Sequence, residues 1–218
     1  MTIEMSLAGF LFWFIIITNL ASNRFGYQTF GDLESEVKLQ VINEDPRRFK
    51  ISFVLILIEH ASIILLAIML FIAFNSSNLI LAVVWTISRS GEGLIQICNK
   101  RNYRGLLKIA RQYAGADGAE KSVLDELRLG ILKSKRSNFA FAQILFSIGT
   151  LAYSILFVTY GVVPAIIGWF GIVASIFYGF GNGMTQVKPS FKVLWNIGGL
   201  FILLFEIALG GWLLFFSR

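Results

Sequence analysis

Chemistry in this chain concentrates in one ten-residue stretch, Ile87-Ser88-Arg89-Ser90-Gly91-Glu92-Gly93-Leu94-Ile95-Gln96, set inside an otherwise apolar segment. Trp85, Arg89, Glu92 and Gln96 are spaced four, three and four residues apart, so on a helix they share one face. Three other apolar segments carry comparable interruptions: Glu59 and His60 in one, Gln143 in another, Glu206 in a third. Formal charges in hydrocarbon are costly on any scale. Such groups therefore turn toward a bundle interior or a wet cavity, and they mark ion or ligand paths. Carboxyl groups beside an imidazole can bind a cation or relay protons, while a guanidinium can anchor, gate or hold a phosphate.

Composition indicates where these groups must sit. The chain has 218 residues, 56% of them hydrophobic and only 15% charged, whereas a soluble surface needs about a quarter charged residues. It reads as an all-α, polytopic membrane protein with one membrane domain spanning 1–218. A single cysteine, Cys98, excludes an intramolecular disulfide and reads as a small packing residue. With His60 as the one histidine, no His/Cys set has metal-ligand spacing, so neither metal nor cofactor is assigned. The net charge of +6 does not point to nucleic acid, because the basic residues lie between apolar helices. Anionic lipid headgroups are the nearer partner.

Six segments are expected to cross the bilayer, over residues 5–22, 46–74, 79–99, 138–160, 164–182 and 191–216. The first has no charge between Glu4 and Arg24, a length of about 28 Å as a helix against a hydrocarbon core of about 30 Å. Asp45 and Pro46 form a natural start for the second. Segment four carries Gln143, Ser147, Thr150 and Ser154 as a polar stripe. Segment five carries Gly168, Gly171, Ser175 and Gly179, small residues that let helices approach closely, and segment six adds Gly199 and Gly210 on the face of Asn196 and Glu206. Gly91-x-Gly93 reads as a close-packing point rather than a nucleotide loop, since no strand precedes it.

The connections are uneven in charge. Loop 1 has Phe30, Leu33 and Val37 at helical spacing, which predicts a short interfacial helix. Loop 3, residues 100–137, has ten basic and four acidic residues. Two amphipathic stripes run through it, Leu106, Ile109, Ala110 and Tyr113, then Val123, Leu124, Leu127 and Ile131 behind a capping-box-like Ser122-x-x-Asp125. Loops 1, 3 and 5 together hold seventeen basic residues, and the opposite loops and termini hold only Arg218. The positive-inside rule then puts those loops in the cytoplasm and both termini outside, in a cell (cytoplasmic) membrane.

The order of several motifs resembles a known group. Phe49-Lys50, Arg89-x-x-Glu92, Val163-Pro164 with Gly168 and Gly171, and Phe205-Glu206-Ile207-Ala208-Leu209-Gly210-Gly211-Trp212-Leu213 are similar to motifs of an uncharacterised prokaryotic family of six-helix membrane proteins catalogued as a domain of unknown function. That resemblance implies a six-helix bundle and no activity. It also implies basic residues around the proline between helices 4 and 5, which would place that loop inside, whereas Tyr160 to Ile167 carries no charge here.

By helical rise, Glu59, His60, Arg89, Glu92 and Gln143 lie at about 10 to 17 Å depth and Glu206 at about 21 Å, one polar layer on four helices. A purely structural role would pair Arg89 with Glu92, Glu59 or Glu206, but three carboxylates against one arginine leave charge unmatched unless protons are bound. The favoured expectation is a small bundle that binds or conducts a cation or proton at Glu59, His60, Arg89, Glu92, Gln96, Gln143 and Glu206. The alternatives are an accessory subunit acting through a protein partner or a second copy, and less readily an intramembrane lipid-binding protein or enzyme. No nucleophile motif or phosphate loop supports the last, and no catalytic residue is assigned.

Overall fold

Local signals fix the helix ends. The Asp45 side chain accepts a hydrogen bond from the Arg48 N–H at 3.0 Å with Pro46 in the first turn, and Asn78 caps the next helix by accepting from the Leu81 N–H at 3.0 Å. Gly161, at φ 62°, ends another helix in the left-handed conformation that glycine adopts without strain. A computed structural model describes residues 3–25, 45–100, 105, 108–109, 111–113 and 115–216. Its long helices are α1 (Ile3–Phe25), α2 (Pro46–Phe74), α3 (Leu79–Asn99), α4 (Gly118–Tyr160), α5 (Ala165–Val187) and α6 (Lys192–Phe215), with a 3-10 turn at Pro189–Phe191. Among the described residues there is no strand.

Five of these, α1, α2, α4, α5 and α6, are long and apolar enough to cross a membrane by length and composition. The protein is thus an all-helical membrane protein. α3 has 21 residues but carries Arg89, Glu92, Gln96 and Asn99, and it falls outside that group, so an expected sixth span is not given by composition.

Loop 3 differs from its expected form. Rather than ending at residue 137, it gives way at Gly118 to a single helix of 43 residues that continues to Tyr160. Between Ser122 and Ser137 the weakest helix former is Gly130, and the leucines, lysines and arginines around it favour helix, so no proline or glycine cluster stops propagation. Ser122 therefore does not cap a helix. Asp117 holds the N-cap position, and Asp125 instead pairs with Arg128 at 3.0 Å. Ile109, Tyr113 and Leu124 bury themselves with Phe49 at the base of α2. Val123 and Leu127, expected on the same stripe as Leu124, are exposed. The expected loop 1 helix at Phe30, Leu33 and Val37, and Leu106 and Ala110 of loop 3, lie outside the described residues.

Helices adjacent in sequence are adjacent in space, and α1 meets α6, so the six form a closed ring. The ring is filled in two levels. One is an apolar layer built from Leu11, Phe12, Leu66, Leu70, Phe74, Trp85, Tyr153, Phe157, Phe205 and Leu209, with Trp85 edge-on to Tyr153 at 4.9 Å and Tyr153 stacked on Phe205 at 5.9 Å. The other level is polar, with Glu59 and Gln143 two to three turns from the apolar layer along their helices and Arg89 and Glu206 at its edge.

Small residues set the close approaches. A Cβ on Gly168 would lie 2.5 Å from Val158, one on Gly179 would lie 2.9 Å from Ser147, and one on Gly171 would collide with Ser154 and Phe205, so α5 leans on α4 and α6 through the expected face. Ser175 is buried on that face and donates to the Gly171 carbonyl at 2.6 Å. On α6, a Cβ added to Gly210 would lie 2.8 Å from Phe12, but one on Gly199 would make only ordinary contact with the Tyr178 ring at 3.5 Å. The tight crossing is at its neighbour Gly198, where a Cβ would lie 2.7 Å from the Tyr178 backbone. Gly9 closes the ring, with a Cβ there falling 2.6 Å from the Leu214 nitrogen.

Candidate functional site

The polar level is organised by α3, whose buried face carries Ser88, Arg89, Glu92 and Gln96. Arg89 Nη1 lies 2.8 Å from Glu92 Oε2, an ion pair one turn along the helix, and Nη2 lies 3.9 Å from Glu206 Oε1 on α6. Its guanidinium carbon sits 4.3 Å from the centre of the Phe146 ring, where a cation meets the negative face of the π system. Gly149 on α4 makes room for the stem. A Cβ there would be 2.9 Å from Arg89 Cγ and 3.1 Å from Cδ. The guanidinium is thus held by two carboxyl groups and a ring, across three helices.

Glu59 is held differently. Its Oε1 accepts from Asn19 Nδ2 on α1 at 3.0 Å, and Asn19 is braced in turn by Asn23 at 3.3 Å. Among the described residues no cation lies within ion-pairing distance of Glu59. His60, 3% exposed, has no hydrogen-bond partner on either ring nitrogen, and Gln96 Oε1 is likewise buried without one. Gln143 accepts from the Tyr178 hydroxyl at 2.5 Å. Gly93 lets α3 press against α2: a Cβ there would meet the His60 carbonyl at 3.1 Å.

These groups share one cavity of about 580 Å³. Glu59, His60, Arg89, Glu92, Gln96, Gln143 and Glu206, the seven residues singled out from sequence, all line it. So do Asn19, Tyr178 and Asn196, and an apolar wall that includes Ile16, Leu20, Phe139, Phe146, Trp195, Ile202 and Leu203. Asn19 and Tyr178 were not expected. A single asparagine near a helix end and a tyrosine on a small-residue helix carry no periodic signal. The serines of the α4 stripe are spent locally: Ser147 donates to the Gln143 carbonyl and Ser154 to that of Thr150. None is paired with a base, so the site has no activated nucleophile among the described residues.

Two further residues mark the rim of this level. Lys100, directly after α3, is 2% exposed. Burial pushes its ammonium down to about 8, the Lys135 charge adds to that, and Glu59 opposes it. Cys98, expected to pack, is exposed.

A ring of apolar helices with a charged cavity, open along a rim that includes Leu20 and Leu203, defines the class: an integral membrane protein with a buried polar centre. The chain belongs to the family described as domain of unknown function DUF4386, whose model matches residues 7–216, nearly the whole length. That is the uncharacterised family which the Arg89-x-x-Glu92 and Phe205–Leu213 motifs resemble. No curated protein and no solved structure matches the chain.

Proposed function

We propose that this is a six-span protein of a cell membrane that binds a small cation in its internal cavity and carries it by opening to one side at a time. The observation that supports the reading is the charge inventory: three carboxyl groups and one guanidinium around one cavity. α3 serves as the sixth span. It stands between α2 and α4 in the ring, its 21 residues reach about 31 Å, and its polar groups face inward while Leu79, Ile80, Ile87 and Leu94 face outward. Six alternating spans put both termini on one side, and the basic loops 1, 3 and 5 assign those loops to the cytoplasm. The cavity then lies in the cytoplasmic half, and the aromatic layer around Trp85 and Phe205 closes the other half. That favours a carrier over an open pore. Loop 3 lies against anionic headgroups.

One observation favours a second role beside this one. Val123 and Leu127, each more than half exposed on the extension of α4, suit contact with a protein partner or a second copy.

Melting of the purified protein at constant ionic strength tests the cation reading. One arm varies the cation among chloride salts, inorganic and organic. The other varies the anion among sodium salts. A cation should raise Tm, and Glu59→Gln should remove the effect; stabilisation that follows the anion and ignores Glu59→Gln overturns the reading.

A further inference from the structure

We infer that the cation is a primary organic ammonium ion, with Glu59 as its counter-ion and the aromatic and aliphatic wall as the bed for its carbon skeleton; this rests on the cation-binding reading above. An inorganic ion fits poorly. Calcium, for example, takes six to eight oxygens at about 2.3–2.6 Å, and among the described residues no three His, Cys, Asp or Glu side chains converge to hold a metal. Glu92 and Glu206 are already drawn to Arg89. Among the described residues Glu59 is the carboxyl group with no cation within ion-pairing distance, the buried Lys100 ammonium acting on it only from further off, and a neutral asparagine amide occupies just one of its oxygens.

Among the cavity's buried atoms without a hydrogen-bond partner Trp195 Nε1 is a donor, while Gln96 and His60 supply the acceptors that specify the headgroup. Gln96 Oε1 accepts and cannot donate, and His60 has two ring nitrogens without partners, one of which accepts in the neutral imidazole. Buried polar atoms left without partners are costly. Glu59, His60 and Gln96 thus offer three acceptors, and a primary ammonium offers three N–H donors. All three line the one cavity, and Gly93, one turn before Gln96, lets α3 approach the His60 carbonyl on α2. A quaternary ammonium would carry the charge but leave the acceptors unmet.

The rest of the cavity specifies the tail. At about 580 Å³ it is far larger than a bare ion and within the usual range for small organic ligands. Phe139, Phe146, Trp195 and Ile202 on the wall can bury hydrocarbon. The ligand class is a primary amine with a short alkyl or aryl tail.

The test uses the full-length protein in detergent, with Tm and calorimetric binding measured against benzylammonium, butylammonium, tetramethylammonium, sodium, potassium, benzyl alcohol and benzoate. Benzylammonium and butylammonium should bind and raise Tm. Tetramethylammonium, the inorganic ions, the neutral alcohol and benzoate should not. Glu59→Gln, which keeps an acceptor for Asn19, should weaken benzylammonium binding at least about tenfold, the loss of one charged hydrogen bond. Leu20→Trp, at an exposed position on the rim, should weaken benzylammonium more than methylammonium, and it serves if Glu59→Gln does not fold. Glu59-dependent binding of sodium or potassium, with amines no better, overturns the inference and leaves the cation reading standing. Equal binding of benzyl alcohol or benzoate overturns both.

Discussion

Gly149→Ala tests the geometry of the centre directly. The new Cβ would sit 2.9 Å from Arg89 Cγ, 3.1 Å from Cδ and 3.3 Å from Ser88 Cβ. Cγ is close to the α3 backbone, and the far end of the side chain is fixed by Glu92, Glu206 and Phe146, so the stem has little freedom to yield. Overpacking of this kind costs about 1–3 kcal/mol, offset by up to about 1 kcal/mol from the better helix propensity of alanine. The variant should be neutral to about 2 kcal/mol less stable. In an Arg89→Ala background the contacts with Cγ and Cδ are gone and only the 3.3 Å approach to Ser88 Cβ remains, so the same substitution should be neutral to about 1 kcal/mol stabilising. A double-mutant cycle of unfolding in mixed detergent should therefore give a coupling of about 1–3 kcal/mol between the two positions. An equal effect of Gly149→Ala in both backgrounds would refute the placement of the Arg89 stem against α4.

Two further outcomes follow from the ring. Gly9→Ala places a Cβ 2.6 Å from the Leu214 nitrogen and 2.8 Å from the Gly210 carbonyl oxygen; backbone cannot rotate away, so α1 and α6 must part, and thermal unfolding should show a loss of about 1–3 kcal/mol, more than for Gly211→Ala, which meets open space. Lys100 gives a pH signature. Its proton leaves at about 8 in the folded protein and at about 10.4 in an unfolded chain, so the unfolded state holds more protons between those values and stability rises with pH across that window. Melting scans from pH 7.5 to 10 should show the rise, and Lys100→Met should flatten it; a slope unchanged in that variant refutes the assignment.

The polar centre was legible in the sequence because membrane burial leaves few options. Ionisable residues at one depth on the inward faces of neighbouring helices have only each other and the bundle interior to turn to, and all seven named positions line one cavity. The expected small-residue face of α5 follows from the same economy of close approach. What the sequence did not carry was pairwise. Gly149 matters only because Arg89 crosses it, and Gly198 rather than Gly199 takes the tight crossing because the rotation of α6 is set by Tyr178. Asn19 acquires its role from Glu59 forty positions away. The length of α4 was misjudged for a different reason: the change from charged to apolar residues near Ser137 marks a change of surroundings, and the backbone hydrogen-bond ladder is indifferent to it.

That unbroken helix has a mechanical consequence. At 43 residues α4 is a rod of about 65 Å, with Leu124 seated against Phe49, Ile109 and Tyr113 at one end and Gln143, Phe146 and Gly149 at the cavity further along. A rod without a hinge conveys tilt over its whole length. A force on the outer turns around Val123 and Leu127 would therefore tilt the turns that carry Gln143, Phe146 and Gly149 as well.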